Sequence, residues 1–431
     1  MLLGGPTVEW GESMAERMLV WIFQTGEPMP LDGDEARPMR AMNLTDALVG
    51  AGHEVVLWTA DFDHTNHRHR YGSHTKVRVS DLLEVRFIHS RGYASNIGVA
   101  RLADHAQLAI SLRRLLKGES HPDVAFVGYP PIEPATVMVD WLRGRDVPVM
   151  LDIKDAWPEV LLRGVPMYLK PLGHLALSPY SLLMHRAFQQ ASGLTSTAEP
   201  FLNWSLETAG RDRNSADRVF PLTSRRPDFP DDDLDDAGVW WDERGVIDDG
   251  RFRIFFVGTL HSSYDFTPVA EAAQDVDVQV VICGDGSSAS DIRAEMTGLP
   301  NVVLPGWVTA QQAEVLGRRS TLALAPIAPH PDFAMSVPNK FYDAMSKGLP
   351  IVTSLTGAAG ELVESHNIGR VYGGRWKPSL RTVLAELEGA PDEISAMSRN
   401  ALDLYSSEYS YETVYGSAVR HLESLASRNL R

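Results

Sequence analysis

Residues 335–354 read MSVPNKFYDAMSKGLPIVTS, a stretch that predicts a loop, a short helix and a buried strand in succession. Pro338 suits the first position of a helix, because its missing N–H would have no partner there. Good helix formers continue to Lys347, and Gly348 provides the stop. Residues 351–353 are β-branched and predict a strand. The start of such a helix presents unpaired N–H groups, which suit a phosphate group.

Two charged residues of this predicted helix share one face. Lys340 lies in the first turn, and Asp343 follows three residues later. A cation beside bound phosphate and a carboxylate that accepts hydrogen bonds from ribose hydroxyls are what a nucleoside diphosphate requires. On the residues alone, the alternative is an ordinary amphipathic helix with a surface lysine and aspartate.

Length and composition predict a globular protein of two domains. The chain has 431 residues, of which 44% are hydrophobic and 22% charged. Its formal net charge of −16 disfavours a general nucleic-acid binder. Cys283 is the single cysteine, which excludes an internal disulfide. Because no apolar run reaches about 18 residues, no membrane-spanning helix is expected.

The first half of the chain opens with a β-α-β pattern. An apolar run at residues 18–23 predicts a buried strand, residues 36–51 a helix and residues 55–59 a second strand. No G-x-G-x-x-G follows the first strand, which disfavours a site for a nicotinamide dinucleotide.

Possible metal ligands follow the second strand. Asp61 and Asp63 form a D-x-D pattern, and His67 and His69 could share a metal ion. Closed zinc sites recruit four spaced ligands that include thiolates, and the sequence has no cysteine near these residues. We therefore expect a polar, exposed loop here and no metal site.

A charged segment follows another predicted strand, at residues 147–153. Charged residues directly after a parallel strand lie where such sheets bind ligands, which makes Asp155 a candidate near the reacting centre. A helix N-cap is the alternative for Asp155. Residues 163–190 are rich in leucine with interspersed basic residues. Their prolines are expected to break any long helix, and core packing is favoured over contact with a membrane.

The second half repeats the alternation of strands and helices. Strands predicted at residues 252–257 and 278–283 each run into glycine, at Gly258 and at Gly284. Glycines in these places let a phosphate approach backbone N–H groups. The acidic, proline-bearing stretch at residues 227–250 predicts an interdomain linker.

The segment SVPNKFYDAMSKGLPIV resembles the donor-site motif of family 4 glycosyltransferases, which have the GT-B fold. In that family two glutamates flank seven residues. Asp343 stands at the second of these positions and Met335 at the first. Residues 151–159, LDIKDAWPE, resemble a signature of the bacterial polysaccharide members of the family.

The resemblance implies an α/β protein with two Rossmann-like domains that face each other across a cleft, and a C-terminal helix that returns to the first domain. Residues 1–17, which contain three glutamates and no apolar core segment, predict a disordered leader. Around the acidic linker at 227–250, the resemblance implies an acceptor domain at 18–226, a nucleotide-sugar donor domain at 251–408 and the returning helix at 409–431.

The resemblance also implies a set of site residues. Gly258, Thr259, Ser336 and Lys340 would contact the diphosphate, and Asp343 the ribose. The full donor set comprises Gly258, Thr259, Gly284, Gly286, Gly306, Trp307, Val308, Ser336, Val337, Pro338, Asn339 and Asp343, with Asp155 and Lys340 as catalytic residues and Gly26, Arg37 and Tyr129 on the acceptor side.

The implied activity is transfer of a sugar from a nucleotide sugar, preferably a UDP-sugar, to an acceptor hydroxyl with retention and without a metal ion or further cofactor. The acceptor would be a glycan, a lipid-linked glycan or a small molecule, and no nucleic acid is expected as a partner. The implied place is the cytoplasm, including the inner face of the membrane. Two alternatives stay open, a sugar-nucleotide epimerase of the same fold and a non-catalytic partner protein, the latter because of Met335.

Overall fold

The computed structural model describes residues 16–32, 37–94, 98–162, 165–328 and 331–429. Two compact units divide the chain: the first comprises residues 1–224 and 414–431, and the second comprises residues 225–413. The acceptor domain was predicted to end at residue 226 and the donor domain at residue 408. In the structure the corresponding unit boundaries fall after residues 224 and 413. The predicted leader lies outside the described residues except for its last two positions.

The first unit is built on an eight-stranded sheet. Its strands, with a separate two-stranded hairpin formed by β3 and β4, are β1 (Leu19–Phe23), β2 (Glu54–Ala60), β3 (Phe62–Asp63), β4 (Arg68–His69), β5 (Thr75–Ser80), β6 (Leu83–Ile88), β7 (Val124–Tyr129), β8 (Val149–Ile153), β9 (Gly193–Ser196) and β10 (Arg218–Val219). The order across the sheet is β10-β9-β8-β7-β1-β2-β6-β5. All neighbours are parallel except β5 and β6. The central strands are continuous apolar runs because both faces of a parallel sheet are covered.

Five helices connect these strands: α1 (Arg40–Gly50), α2 (Val99–Leu115), α3 (Ile132–Arg143), α4 (Lys170–Gln190) and α5 (Glu199–Ala209). Helices α2 to α5 pack side by side in chain order. The core between helices and sheet includes three tryptophans: Trp21 lies 5.2 Å from Trp58 and 5.4 Å from Trp141, measured between ring centroids.

The second unit repeats the arrangement with a six-stranded parallel sheet. Its strands are β11 (Arg253–Val257), β12 (Gln279–Cys283), β13 (Val302–Gly306), β14 (Leu322–Ala325), β15 (Ile351–Thr353) and β16 (Gly369–Val371), in the order β13-β12-β11-β14-β15-β16. Its helices are α6 (Asp231–Asp242), α7 (Thr267–Asp275), α8 (Ala289–Glu295), α9 (Ala310–Arg318), α10 (Asn339–Ser346), α11 (Ala358–Ser365), α12 (Leu380–Glu388) and α13 (Pro391–Leu404). Both units are Rossmann-like, as predicted.

The chain ends in α14 (Tyr411–Asn429), of which residues 414–429 are part of the first unit. Tyr415 is buried there, and its hydroxyl donates a hydrogen bond to the carbonyl oxygen of Thr223 at 3.1 Å. His421 is 2.9 Å from the carbonyl oxygen of Ala216. The last helix thus completes the core of the unit that begins the chain.

The stretch predicted as an acidic linker contains α6. The three aspartates of its first turn favour the positive end of the helix dipole. Trp241 is fully buried in the core of the second unit, and its indole N–H donates to the carbonyl oxygen of Gln312 at 2.8 Å. Much of this acidic segment is therefore an integral part of the second unit.

Residues 170–190 also differ from the expectation, because they form one continuous helix, α4, with Pro179 inside it. Pro179 and most of its neighbours in the first half of the helix are exposed. Water can therefore reach the carbonyl group left without its intrahelical partner by the missing N–H. Core packing was predicted for this leucine-rich segment, but the side chains of Leu172 and Leu175 are 64% and 71% exposed. Only the last turns of α4, at Met184, Ala187 and Phe188, are buried.

Candidate functional site

Three loops of the second unit lie side by side at the carboxyl ends of neighbouring strands. The N–H of Gly258, directly after β11, donates to the carbonyl oxygen of Cys283 at 3.1 Å. The N–H of Gly284, directly after β12, donates to the carbonyl oxygen of Gly306 at 2.7 Å. The structure therefore brings together the three strand ends that the sequence analysis singled out, at the edge where open α/β sheets bind ligands.

Glycine is required at two positions of the loop after β12 by the close approach of the backbone of the loop after β11. A Cβ at Gly284 would overlap the carbonyl oxygen of Gly258, and the φ of +135° is one that residues with side chains rarely adopt. A Cβ at Gly286 would likewise overlap the carbonyl oxygen of Leu260. The loops after β11 and β12 therefore pack backbone against backbone, and the exposed positions at which a phosphate group can come close are Thr259 and Gly286.

Lys340 brings a positive charge to these loops. Its ammonium group lies where a Cβ of Gly258 would be and donates to the carbonyl oxygen of Val257. It also lies 4.4 Å from the ring centroid of Phe256 and 5.7 Å from that of Tyr264. The carbonyl group and the faces of two aromatic rings hold the cation at the first glycine loop.

The charge of Lys340 affects His261, which lies in the same loop region. Burial lowers the pKa of His261 below its ordinary value, and the positive charge of Lys340 lowers it further. Its ring stacks near Tyr264, with 4.6 Å between the ring centroids. His261 is therefore neutral at neutral pH and does not add to the positive charge of the site.

Lys340 belongs to the first turn of α10, so its contact with the first glycine loop places the start of this helix beside these loops. Pro338 was predicted as the first helical residue, but its ψ of 149° is extended, and the helix begins at Asn339. Pro338 is thus the N-cap, and no side chain caps the helix in the described structure. The first turn of α10 forms the positive end of the helix dipole, and of its N–H groups that of Phe341 donates to the carbonyl oxygen of Pro338 at 3.0 Å. Among the described residues, the buried Oδ1 of Asn339 accepts no hydrogen bond.

The other predicted donor residues occupy the same edge of the sheet or the approach to α10. Asp343 is half-buried on α10, one turn after Lys340. Trp307 is exposed directly after β13, while Val308 is buried. The remaining members range from exposed Thr259 and Gly286, through half-buried Ser336, to buried Val337.

The first unit holds the residues predicted for catalysis and for the acceptor. Asp155 is exposed directly after β8, and Arg37 is exposed just before α1. Gly26, with a φ of +75°, lies in the loop after β1. The prediction of Tyr129 as an acceptor-side residue must be corrected, because its side chain is fully buried and its hydroxyl donates to the carbonyl oxygen of Trp157 at 2.8 Å. It supports the segment that follows β8 and does not face an acceptor.

The sequence analysis missed a buried network of ion pairs in the first unit, beneath the carboxyl edge of its sheet. Arg40 and Asp152 are buried and form an ion pair with 2.8 Å between nitrogen and oxygen. Lys154 pairs with Glu27 and lies 3.9 Å from a carboxylate oxygen of Asp152. The network links the start of α1, the end of β8 and the loop after β1. It fixes the positions of the loops that carry Gly26 and Asp155.

Solved structures that are similar over almost the whole chain identify the fold. Sucrose-phosphate synthase from Thermosynechococcus elongatus has a TM-score of 0.70 at 12% identity, with 96% of this chain and 100% of that chain covered. Anabaena HepE, in complex with UDP and glucose, has a TM-score of 0.61 at 15% identity, with 95% and 100% covered. WaaG, a glycosyltransferase involved in lipopolysaccharide biosynthesis, has a TM-score of 0.60 at 13% identity, with 94% and 99% covered. The chain has the GT-B fold, as the resemblance predicted.

The family comparison adds the class of enzyme. Residues 251–377 match the model of the family described as "Glycosyl transferases group 1". This range contains the three glycine loops and Lys340. The second unit thus carries a glycosyl transferase group 1 domain, and the prediction of a GT-B glycosyltransferase is confirmed. No curated protein matches the chain.

Proposed function

We propose that this protein transfers a sugar from a nucleoside-diphosphate sugar, preferably a UDP-sugar, to an acceptor hydroxyl with retention of configuration and without a metal ion. The observation that carries the proposal is the position of Lys340 against Gly258, at the start of α10 and beside the glycine loops. The preference for uridine rests on HepE, which was solved with UDP and with UDP-glucose.

In this proposal the second unit stabilises the leaving diphosphate. The N–H groups at the start of α10 and the ammonium of Lys340, held against Gly258, are positive where negative charge develops. Asp343 would accept hydrogen bonds from the ribose, and the loop at Gly306 to Val308 would hold the base. Because a lysine and a helix start supply this charge, the leaving group needs no bound cation.

The first unit would position the acceptor. Asp155 would orient the reacting hydroxyl or stabilise positive charge that develops on the sugar. Its exposed position directly after β8, above the Arg40–Asp152 network, supports this role. Gly26 and Arg37 remain the proposed acceptor-side residues.

The experiment is incubation of the protein with UDP-, GDP- and dTDP-sugars, with release of the nucleoside diphosphate as the readout and NMR of the product for its anomeric configuration. A transferase releases the diphosphate faster when an acceptor is added. An epimerase changes the sugar and keeps the nucleotide attached, and a non-catalytic partner releases nothing. Either of the last two outcomes contradicts the proposal.

We further propose that the acceptor is lipid-linked, that the product belongs to polysaccharide or glycoconjugate synthesis, and that α4 contacts the cytoplasmic membrane face. The large apolar side chains of Met167, Tyr168, Leu172, Leu175 and Leu182 are exposed on and just before α4. Residues 160–198 contain no aspartate or glutamate, although the whole chain has a net charge of −16. An apolar, acid-free surface on an acidic protein fits an anionic lipid bilayer.

This contact would be peripheral. Among the described residues, no helix has the length and apolar character to cross a membrane. The fraction of the protein that co-sediments with anionic vesicles should fall when Leu172 and Leu175 are both replaced by serine, because two exposed apolar side chains are then lost. The matched control is Val239→Ser, which removes an exposed apolar side chain from the acidic helix α6. Equal sedimentation of both variants, or no binding by the unaltered protein, would refute the membrane contact.

A further inference from the structure

Three residues that could ligate a metal meet at the carboxyl edge of the first sheet. Asp61 directly follows β2, and His89 directly follows the neighbouring strand β6. Since Ala60 and Ile88 are paired in this sheet, the two following residues leave it side by side. His69 comes from the hairpin, where it pairs with Phe62. The sequence analysis had considered His69 together with His67, but the fold brings His69 to Asp61 and His89.

The spacing of the side-chain atoms suits a bound ion. Oδ2 of Asp61 is 3.1 Å from Nδ1 of His69 and 3.0 Å from Nδ1 of His89. The three ligand atoms all lie within 4.8 Å of one another. Zinc binds imidazole and carboxylate at about 2.0–2.2 Å, so two ligands on a tetrahedral ion lie roughly 3.3 Å apart. Small rotations of the two rings would therefore place all three atoms around one ion.

The backbone around Asp61 orients its carboxylate. Oδ1 accepts a hydrogen bond from the N–H of Tyr71 at 2.7 Å, and Oδ2 accepts one from the N–H of Gly72 at 3.1 Å. Each carboxylate oxygen has two lone pairs, so Oδ2 keeps one for an ion.

The hairpin that carries His69 is held firmly. Arg70, the next residue, donates through Nε and Nη2 to the two carboxylate oxygens of Asp32 at 2.5 and 2.6 Å. It also donates to the carbonyl oxygen of Ala60 at 3.2 Å. On the other side, the N–H of His89 donates to Nδ1 of His74 at 2.9 Å. Outer contacts of this kind commonly orient the ligands of a metal ion.

Exposure and donor chemistry indicate the kind of ion. Asp61 is fully buried, whereas the side chains of His69 and His89 are 30% and 34% exposed, so the outer side of the cluster is open to solvent. Two imidazoles and one carboxylate suit zinc, cobalt or nickel, whereas magnesium and calcium prefer oxygen ligands alone. Three protein ligands leave at least one position for water or another ligand.

We propose that Asp61, His69 and His89 bind one divalent transition-metal ion of the zinc type, which ties the ends of β2 and β6 to the hairpin. The site lies in the first unit, among residues to which the proposed sugar transfer assigns no role. Its existence and the glycosyltransferase activity can therefore fail independently.

The test is a titration of the untagged, chelator-treated full-length protein with zinc, followed by calorimetry and by metal analysis after gel filtration. We expect equimolar uptake and a rise in melting temperature. His69→Asn and His89→Asn should each weaken binding by more than the about 10–100-fold that loss of an outer partner of a ligand costs. The control His121→Asn, which removes an exposed histidine elsewhere in the first unit, should bind as the unaltered protein does.

A cobalt titration provides a second readout that does not depend on the variants folding. Cobalt bound by nitrogen and oxygen ligands should give visible absorption bands that zinc then removes. Failure to reach equimolar uptake, absence of cobalt bands in the unaltered protein, or binding by folded His69→Asn and His89→Asn that matches His121→Asn would each overturn the proposal. In the first two cases Asp61 and the histidines are only hydrogen-bonded partners.

Discussion

Each of the two units is built on its own, mainly parallel sheet, but different residues follow the strands of the two sheets. In the second unit, Gly258 and Gly284 let two loops approach each other backbone to backbone, and one lysine supplies the charge. In the first unit, Asp61, His89 and Lys154 follow the strands. The contrast teaches that one topology can offer either its backbone or its side chains at the same edge. An exposed backbone suits a diphosphate, and side chains suit an ion or a variable acceptor.

The largest effect is expected from Arg40→Met, which breaks the ion network of the first unit. Asp152 would be left buried without its main partner, and such a loss costs about 3–5 kcal/mol of folding free energy. Urea unfolding measures this. Arg143→Met, which removes an exposed arginine from α3, should change stability by less than about 0.5 kcal/mol. Similar losses in both variants would mean that the network does not organise the first unit.

Lys340→Ala tests the charge of the second unit. Removing one preorganised group that stabilises developing charge lowers turnover about 10²–10³-fold, and we expect a loss of that size with the fold intact. Release of nucleoside diphosphate measures turnover, and circular dichroism checks the fold. Lys377→Ala removes a lysine that pairs with Glu364 on the surface of the same unit, and its turnover should be unchanged. Full activity in the Lys340 variant would refute the assignment.

Gly284→Ala tests whether the second unit needs the close backbone packing of the loops after β11 and β12. The new Cβ would overlap the carbonyl oxygen of Gly258, so the two loops must move apart at a cost of about 1–3 kcal/mol. Thermal unfolding and nucleotide binding measure the two consequences. At Gly298 φ is also positive, +86°, but a Cβ added there would have no atom within 4 Å. Gly298→Ala therefore reports the backbone cost alone, and equal losses in both variants would remove close approach as the cause.

The second unit was more accessible from sequence than the first. The glycine loops and α10 depend on residues close together in the chain, whose patterns can be read locally. The pairing of Arg40 with Asp152 depends on which helix start lies over which strand, and the sequence around these two residues gives no signal of that contact. Tyr129 was misassigned because β7 is buried along its whole length, and the contact of the Tyr129 hydroxyl with Trp157 joins segments that lie far apart in the sequence. The prolines of residues 163–190 were expected to break any long helix, but α4 continues through Pro179 because this residue is exposed to solvent.

The position of α14 has a consequence for the order in which the protein can fold during synthesis. Val414, Val419, Leu422 and Leu425 of this helix are buried within the unit whose other residues precede residue 225. That unit cannot close its apolar interior until residues 414–429 have been synthesised, whereas residues 225–413 emerge as a complete set earlier. A nascent chain halted before residue 411 would therefore carry an unfinished amino-terminal half that attracts chaperones, beside a carboxyl-terminal half already able to fold.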